Sequence, residues 1–309
     1  MSTLPGPRAL SYALVDVFAE RALEGNMLAI FTDARGLTDV EMQALARETN
    51  LAETTFILPK AVVAKEVSEG VRVRIFTTQE ELPFAGHPTL GTASWLYLNH
   101  PALKGAETIT LDLKGGPITV TFRKQITGER GVYATMQQHD PVFGVVHDAE
   151  DISRVTGIAL ADIDTESPIQ TVSTGLAFCV VPVRSVEALS RLEIPQAAAA
   201  AYLADSGAKF FYVMAPGGVS AMELPAFRSR MQFYNGEDPA TGSAAGCAIS
   251  WMVKNHRVAS GTLVEFVQGS EIGRPSHLFA QCSLTDGKVG SVFVSGRTVP
   301  VAKGVFSLE

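Results

Sequence analysis

Cysteine is scarce in this chain. Cys179, Cys247 and Cys282 are the only three in 309 residues, and they stand far apart. They form neither a Cys-x-x-Cys pair nor the Cys/His spacing of a zinc site, and an odd count cannot pair completely within the chain. A disulfide framework and a metal-built fold are therefore not expected. Positive charge is short as well: 25 Lys and Arg against 32 Asp and Glu leave a net charge of −7. That balance offers no electrostatic footprint for a nucleic acid or an anionic membrane. No apolar run reaches the roughly 18–20 residues that span a bilayer. The opening MSTLPGPRALSYALV has neither the basic segment nor the apolar core of a secretory leader. The expectation is a reduced, cytoplasmic protein. Motifs of other chemistries are also missing: there is no G-x-S-x-G nucleophile elbow, no glycine-rich nucleotide loop and no H-E-x-x-H.

What is present is ordinary globular material, 46% hydrophobic and 18% charged, in a chain long enough for two domains or one large one. Segments 11–18 and 26–31 read as strands around a Glu-Gly turn. Residues 37–50 read as a helix in which Thr38 and Glu41 form a capping box, Leu37 and Met42 a staple, and Met42, Leu45, Ala46 and Thr49 one face. Strands are expected over 51–58, 71–76, 108–113, 118–123 and 132–137. Further on, 169–183 reads as two strands about Gly175, and 209–215 and 227–233 as further strands.

Between these strands lies FAGHPTLGTASWLYL (84–98), which carries no charged side chain after His87. With His87 as N-cap and Pro88 at the first helical position it reads as a helix apolar on every side, hence one buried on every side. Half a chain-length later, Asp238-Pro-Ala-Thr-Gly-Ser-Ala matches His87-Pro-Thr-Leu-Gly-Thr-Ala, again after an Arg-x-Arg strand and again opening an uncharged helix. We read a duplication: an α+β protein whose halves, 1–125 and 126–309, each curl a sheet around a central helix, with a C-terminal strand returning to the first half. A helix N-terminus offers unpaired N–H groups and the positive end of the macrodipole. Two such tips across a cleft suit a small carboxylate. Each feature alone has a structural explanation, since Asp before Pro is a common N-cap and a strand-end glutamate such as Glu53 is usually exposed. Their pairing is what points to a site.

The blocks DVFAERALEGNMLAIF, NLAETTFI, ELPFAGHPTLGTA, VSTGLAFCVVPV, EDPATGSAAG and QGSEIGRPS together resemble the PhzF family of phenazine biosynthesis, in order, from about residue 11 to beyond 280. The resemblance implies a diaminopimelate-epimerase-like fold with the site between the halves, a homodimer, and a cofactor-independent isomerase that moves a proton between carbons of a small cyclic or unsaturated amino or carboxylic acid. It places the acid/base on Glu53, its catalytic partners on His87 and Asp238, and substrate binding on Gly86, Gly242 and Ser243. No metal or cofactor is implied. Related epimerases and proline racemases use two opposed thiols; here the corresponding positions hold His87 and Asp238, and Cys247 falls inside an apolar helix as a packed thiol. The connection YNGEDPATG is shorter than FTTQEELPFAGHP, so the cleft rim differs between halves. A non-catalytic acid-binding protein on the same scaffold, and an epimerase, are the alternative expectations.

Overall fold

A computed structural model describes residues 8–125, 128–233 and 236–308. Ile126 and Thr127, at the expected boundary between halves, and Tyr234 and Asn235, ahead of Asp238, lie outside the described residues.

The strands in chain order are β1 (Arg8–Val17), β2 (Asn26–Phe31), β3 (Glu53–Leu58), β4 (Val71–Phe76), β5 (Glu81–Leu82), β6 (Thr108–Leu113), β7 (Gly116–Phe122), β8 (Val132–Gln137) and β9 (Val142–His147). They continue as β10 (Ile169–Ser173), β11 (Ala177–Pro182), β12 (Phe210–Val219), β13 (Pro225–Arg230), β14 (Gln232–Phe233), β15 (Gly236–Glu237), β16 (Val264–Gln268), β17 (Ser276–Thr285) and β18 (Lys288–Leu308). The helices are α1 (Asp39–Thr49), α2 (Val63–Glu69), α3 (Gly86–Asn99), α4 (Ala149–Thr156), α5 (Val186–Ser190), α6 (Gln196–Ser206) and α7 (Gly242–Lys254).

One plan occurs twice. Strands β2 and β3 are parallel neighbours joined through α1, and β4 and β6 are parallel neighbours joined through α3. Later, β11 and β12 are parallel through α5 and α6, and β13 and β16 through α7. Parallel neighbours cannot be joined by a tight turn, so each pair requires a crossover segment. In each half the first crossover packs outside the sheet and the second inside. The capping box of α1 is formed, with Thr38 as N-cap and Glu41 reaching back. Its Met42, Leu45 and Ala46 bury against Phe31, Phe56 and Phe76 on the outer face of the sheet. The outer crossover of the second half buries Leu189, Ala199 and Leu203 with Cys179, Val181 and Phe211.

The inner crossovers are enclosed along most of their length, α3 emerging only toward its Trp95–Asn99 end. Every residue of α7 from Gly242 to Val253 is buried, as are Gly86 to Ser94 of α3. Helix α3 lies inside a ring of strands in the order β1-β2-β3-β4-β6-β7-β8-β18, closed by pairing of β18 with β1. Gly91 permits this enclosure, because a Cβ there would fall 2.7 Å from Leu28 and from Val17. Helix α7 packs on β10, β11, β17 and β18 of a second, open run that ends at β9. The 21-residue β18 serves both sides: it pairs with β17 and β8 along its first part and with β1 over Thr298–Leu308. The sheet is therefore continuous through both halves.

Both inner helices start differently from expectation. The N-cap of α3 is Ala85, so His87 lies within the first turn and Pro88 one residue beyond it. Proline is tolerated there because first-turn N–H groups have no helical partner. The N-cap of α7 is Thr241, which leaves Asp238 in the segment leading to the helix rather than at its cap.

Candidate active site

Adjacent strands deliver the first two polar groups. Asn26 opens β2 and Glu53 opens β3, whose register places Glu53 beside Leu28. A left-handed Asn50 ends α1 and turns the chain into β3. The α3 tip adds His87, and the segment before α7 adds Asp238. All four are shut away from solvent, Asn26 and His87 at 2% exposure, Asp238 at 4% and Glu53 at 7%.

His87 Nδ1 stands 3.5 Å from Glu53 Oε2, long for a hydrogen bond, and 3.2 Å from Asn26 Nδ2. Asn26 Nδ2 donates to Asp238 Oδ1 at 2.6 Å and to the Ala240 carbonyl at 2.9 Å. Thr241 Oγ1 donates to the second carboxylate oxygen of Asp238 at 2.5 Å. Gln268, fully buried at the end of β16, accepts from the Thr241 N–H at 3.2 Å and donates to the Asp238 carbonyl at 2.8 Å. The Asp238 N–H donates to the Met231 carbonyl. Backbone groups that helical bonds would satisfy elsewhere are met here by partners distant in sequence, so the chain stays irregular from Asp238 and turns helical only after Thr241.

The two helix tips touch. A Cβ on Gly86 would lie 2.5 Å from the Ser243 nitrogen and 2.7 Å from the Gly242 carbonyl carbon, so only glycine lets the backbones meet. Gln138 bonds the Gly242 carbonyl at 2.9 Å and is itself bonded by Thr174 at 2.6 Å, which anchors the first turn of α7. The structure thus brings together every residue singled out from sequence: Glu53, Gly86, His87, Asp238, Gly242 and Ser243. Three participants were not anticipated. Asn26 is a lone amide heading the otherwise apolar strand NMLAIF, which was an available signal; Gln268 ends VEFVQ, a strand that also carries Glu265 and so offered a weaker one. Gln138 carried no comparable mark.

Burial governs the protonation states. It raises the carboxyl of Glu53 well above the ordinary range, and the negative charge of Asp238 adds to the effect. Asp238 is pushed up to about 7 by burial, although the bonds from Thr241 and Asn26 hold it down. His87 is pushed down to about 3 by burial, so its imidazole is neutral, and Nε2 is buried without a hydrogen-bond partner. The site therefore holds a buried acid, a neutral imidazole and a hydrogen-bonded carboxylate, a set able to carry a proton to and from a carbon acid. The thiols are poor candidates for that role. Cys247 packs inside α7 near Thr174, and burial pushes it up to about 12. No cluster of three or more His, Cys, Asp or Glu side chains able to hold a metal ion occurs among the described residues.

The chain is similar to several known proteins along nearly its whole length. The family described as phenazine biosynthesis-like protein, PhzC-PhzF, matches residues 15–304. A trans-2,3-dihydro-3-hydroxyanthranilate isomerase from Pseudomonas aeruginosa is 35% identical over 299 residues, covering 95% of this chain and 98% of that one. The solved structure of a predicted epimerase from the same organism is 33% identical, with a TM-score of 0.79 over 96% of this chain and 99% of that one. A PhzF-family phenazine biosynthesis protein from Bacillus anthracis, 22% identical, shares the fold with a TM-score of 0.81 over 98% of this chain and 99% of that one.

Proposed function

The chain belongs to the PhzC-PhzF family of phenazine biosynthesis-like proteins and is an isomerase; from that premise we propose that it moves a proton between two carbons of a small cyclic or unsaturated amino acid, with Glu53 as the acid/base. The observation that carries this reading is the buried Glu53 carboxyl, placed against a neutral His87 between two helix tips.

Glu53, entering the cycle with its proton, delivers that proton to one carbon of the unsaturated system and takes a proton back from another carbon on the same face, so that it ends protonated as it began. The C–H bond broken is balanced by the C–H bond formed, and no electrons leave the substrate. His87 Nδ1 faces the same carboxyl and can hold its proton in position. The N–H groups at the tips of α3 and α7, with Ser243, suit the substrate carboxylate. Asp238 suits an amino group. Because Gly86 rests on Gly242 and Ser243, admission of an acid requires the two tips to part.

The test uses trans-2,3-dihydro-3-hydroxyanthranilate, the compound on which the Pseudomonas aeruginosa relative acts, incubated with the protein in D2O. Deuterium incorporation at carbon, lost by about a thousandfold in Glu53→Gln, is the expected result. Inversion at a stereocentre without movement of a double bond would instead identify an epimerase. Binding of this acid and related cyclic acids without any exchange would identify a non-catalytic binder.

A further inference from the structure

We infer that Asn26 is a positioning residue that assigns the negative charge of the buried carboxyl pair to Asp238 and leaves the proton on Glu53; the inference rests on the acid/base role proposed for Glu53.

The hydrogen-bond inventory carries it. An asparagine amide nitrogen has two hydrogens. Asn26 Nδ2 faces the Ala240 carbonyl, which can only accept, and Asp238 Oδ1 at 2.6 Å, so the amide orientation is determined and both hydrogens are committed. The Thr241 hydroxyl occupies Asp238 Oδ2, giving each oxygen of this carboxylate a donor. Among the described residues no hydrogen bond reaches the Glu53 carboxyl; its polar neighbour is His87 Nδ1 at 3.5 Å. Two carboxyls sealed in one site hold a single proton between them at neutral pH, and it resides on the one with fewer donors. Since the amide hydrogens of Asn26 are spent, His87 Nδ1 remains open to the Glu53 proton.

Asn26 is itself held by the second half of the chain. Arg274 donates through Nε to the Gly25 carbonyl at 2.8 Å and through Nη2 to the Glu24 carbonyl at 2.8 Å and to Asp16 at 2.7 Å. The Gly25 N–H donates to the Pro275 carbonyl. The residues just ahead of Asn26 are thus clamped to the loop before β17. Around Asp238 the titratable groups are Glu53 from β3, His87 from α3, Tyr212 from β12 and the neighbouring Glu237. The charge of Glu237 is tied to Arg230 through bonds of 2.9 and 2.5 Å. None of these supplies Asp238 with a donor equivalent to Asn26.

The experiment follows kcat/KM against pH for the exchange reaction in wild type, Asn26→Ala and Thr241→Val. Removing a donor from a buried carboxylate raises the acidic limb of the profile, by about one unit for Asn26→Ala and in the same direction for Thr241→Val. At pH 6 the Asn26→Ala rate falls about tenfold, with recovery at higher pH. A uniform loss at every pH with an unmoved limb would show that Asn26 is merely structural. A second readout is independent of turnover: 13C titration of the side-chain carboxyls, assigned with Glu53→Gln and Asp238→Asn. Wild type is expected to ionise Asp238 before Glu53, and Asn26→Ala to narrow or reverse that order. A wild type in which Glu53 ionises first overturns the inference whether or not the acid is turned over. Absence of exchange together with the expected titration order would count against the proposed function and leave the assignment standing.

Discussion

The tips of α3 and α7 begin from matching words, His-Pro-Thr-Leu-Gly and Asp-Pro-Ala-Thr-Gly, and end as different structures. In the first the word is helical: Ala85 caps it, and the Thr89 N–H and hydroxyl both return to the Ala85 carbonyl. In the second the word is irregular and bends at Pro239, because Gln268 and Met231 take the backbone groups that a helical turn would use, and helix begins only after Thr241. Gln268 lies outside the repeated motif. One tip therefore presents a neutral imidazole inside a first turn, and the other a carboxylate hung before a cap. The two halves share topology, while their chemistry is set by single polar residues contributed from elsewhere in the sheet.

The largest test of this contrast is Gly86→Ala against Gly242→Ala. At Gly86 the new Cβ meets backbone, 2.5 Å from the Ser243 nitrogen, so the tips must separate. We expect exchange to fall a hundredfold or more, with about 1–3 kcal/mol lost in stability. At Gly242 the new Cβ meets the ends of the Phe18 and Met136 side chains at 2.9 and 3.1 Å, which can shift, and a smaller loss is expected. Equal losses in rate and melting would erase the asymmetry.

Gln268→Leu comes next. It strands the Thr241 N–H and the Asp238 carbonyl, at a cost of about 2–4 kcal/mol in denaturant unfolding. Among the described residues no side chain distant in sequence bonds the backbone of the α3 tip in this way, where the local bond is from the Thr89 hydroxyl to the Ala85 carbonyl. Unchanged stability would show that the segment before α7 holds itself.

The third test is one of pH. Because the Glu53 carboxyl is raised on folding, the folded chain keeps a proton that the unfolded chain releases, and wild-type stability from this group is lost as pH rises from about 4.5 toward the folded value. Glu53→Gln carries no such dependence. The variant should gain on wild type as pH rises, by up to about 1.4 kcal/mol per unit, read from urea melts at pH 5 and 7.5. A constant difference across that range would mean that Glu53 is not the protonated partner. His87 works in the opposite direction: its folded value of about 3 means that the unfolded chain binds the extra proton, so stability from it is lost as pH falls below about 6.5.

The smallest effect belongs to a site remote from both tips. Thr38→Ala should cost about 1 kcal/mol through loss of the α1 cap and leave the exchange rate unchanged. A change in rate would link the outer crossover to the site.

Much of this architecture was legible beforehand. Alternating and β-branched runs placed β2, β4, β6 and β8 with their observed limits, and the Thr38–Glu41 box placed α1, because these signals act between residues a few positions apart. The apolar helices were readable from the lack of any charged face. The cap positions were misread: His87 and Asp238 look like caps locally, but α3 begins earlier, after Ala85, and α7 later, after Thr241, where Gln268 and Met231 take the backbone groups around Asp238.

Periodicity, capping chemistry and the repeated motif are properties of neighbours along the chain, and they made the mixed strand-and-helix plan and the candidates Glu53, His87 and Asp238 readable, while the resemblance to the PhzF family added Gly86, Gly242 and Ser243. Which carboxyl keeps the proton, and that Asn26, Gln138 and Gln268 complete the site, depended on groups brought together by the folded sheet. Desolvation and hydrogen-bond supply act through space, so only the tertiary structure could decide them.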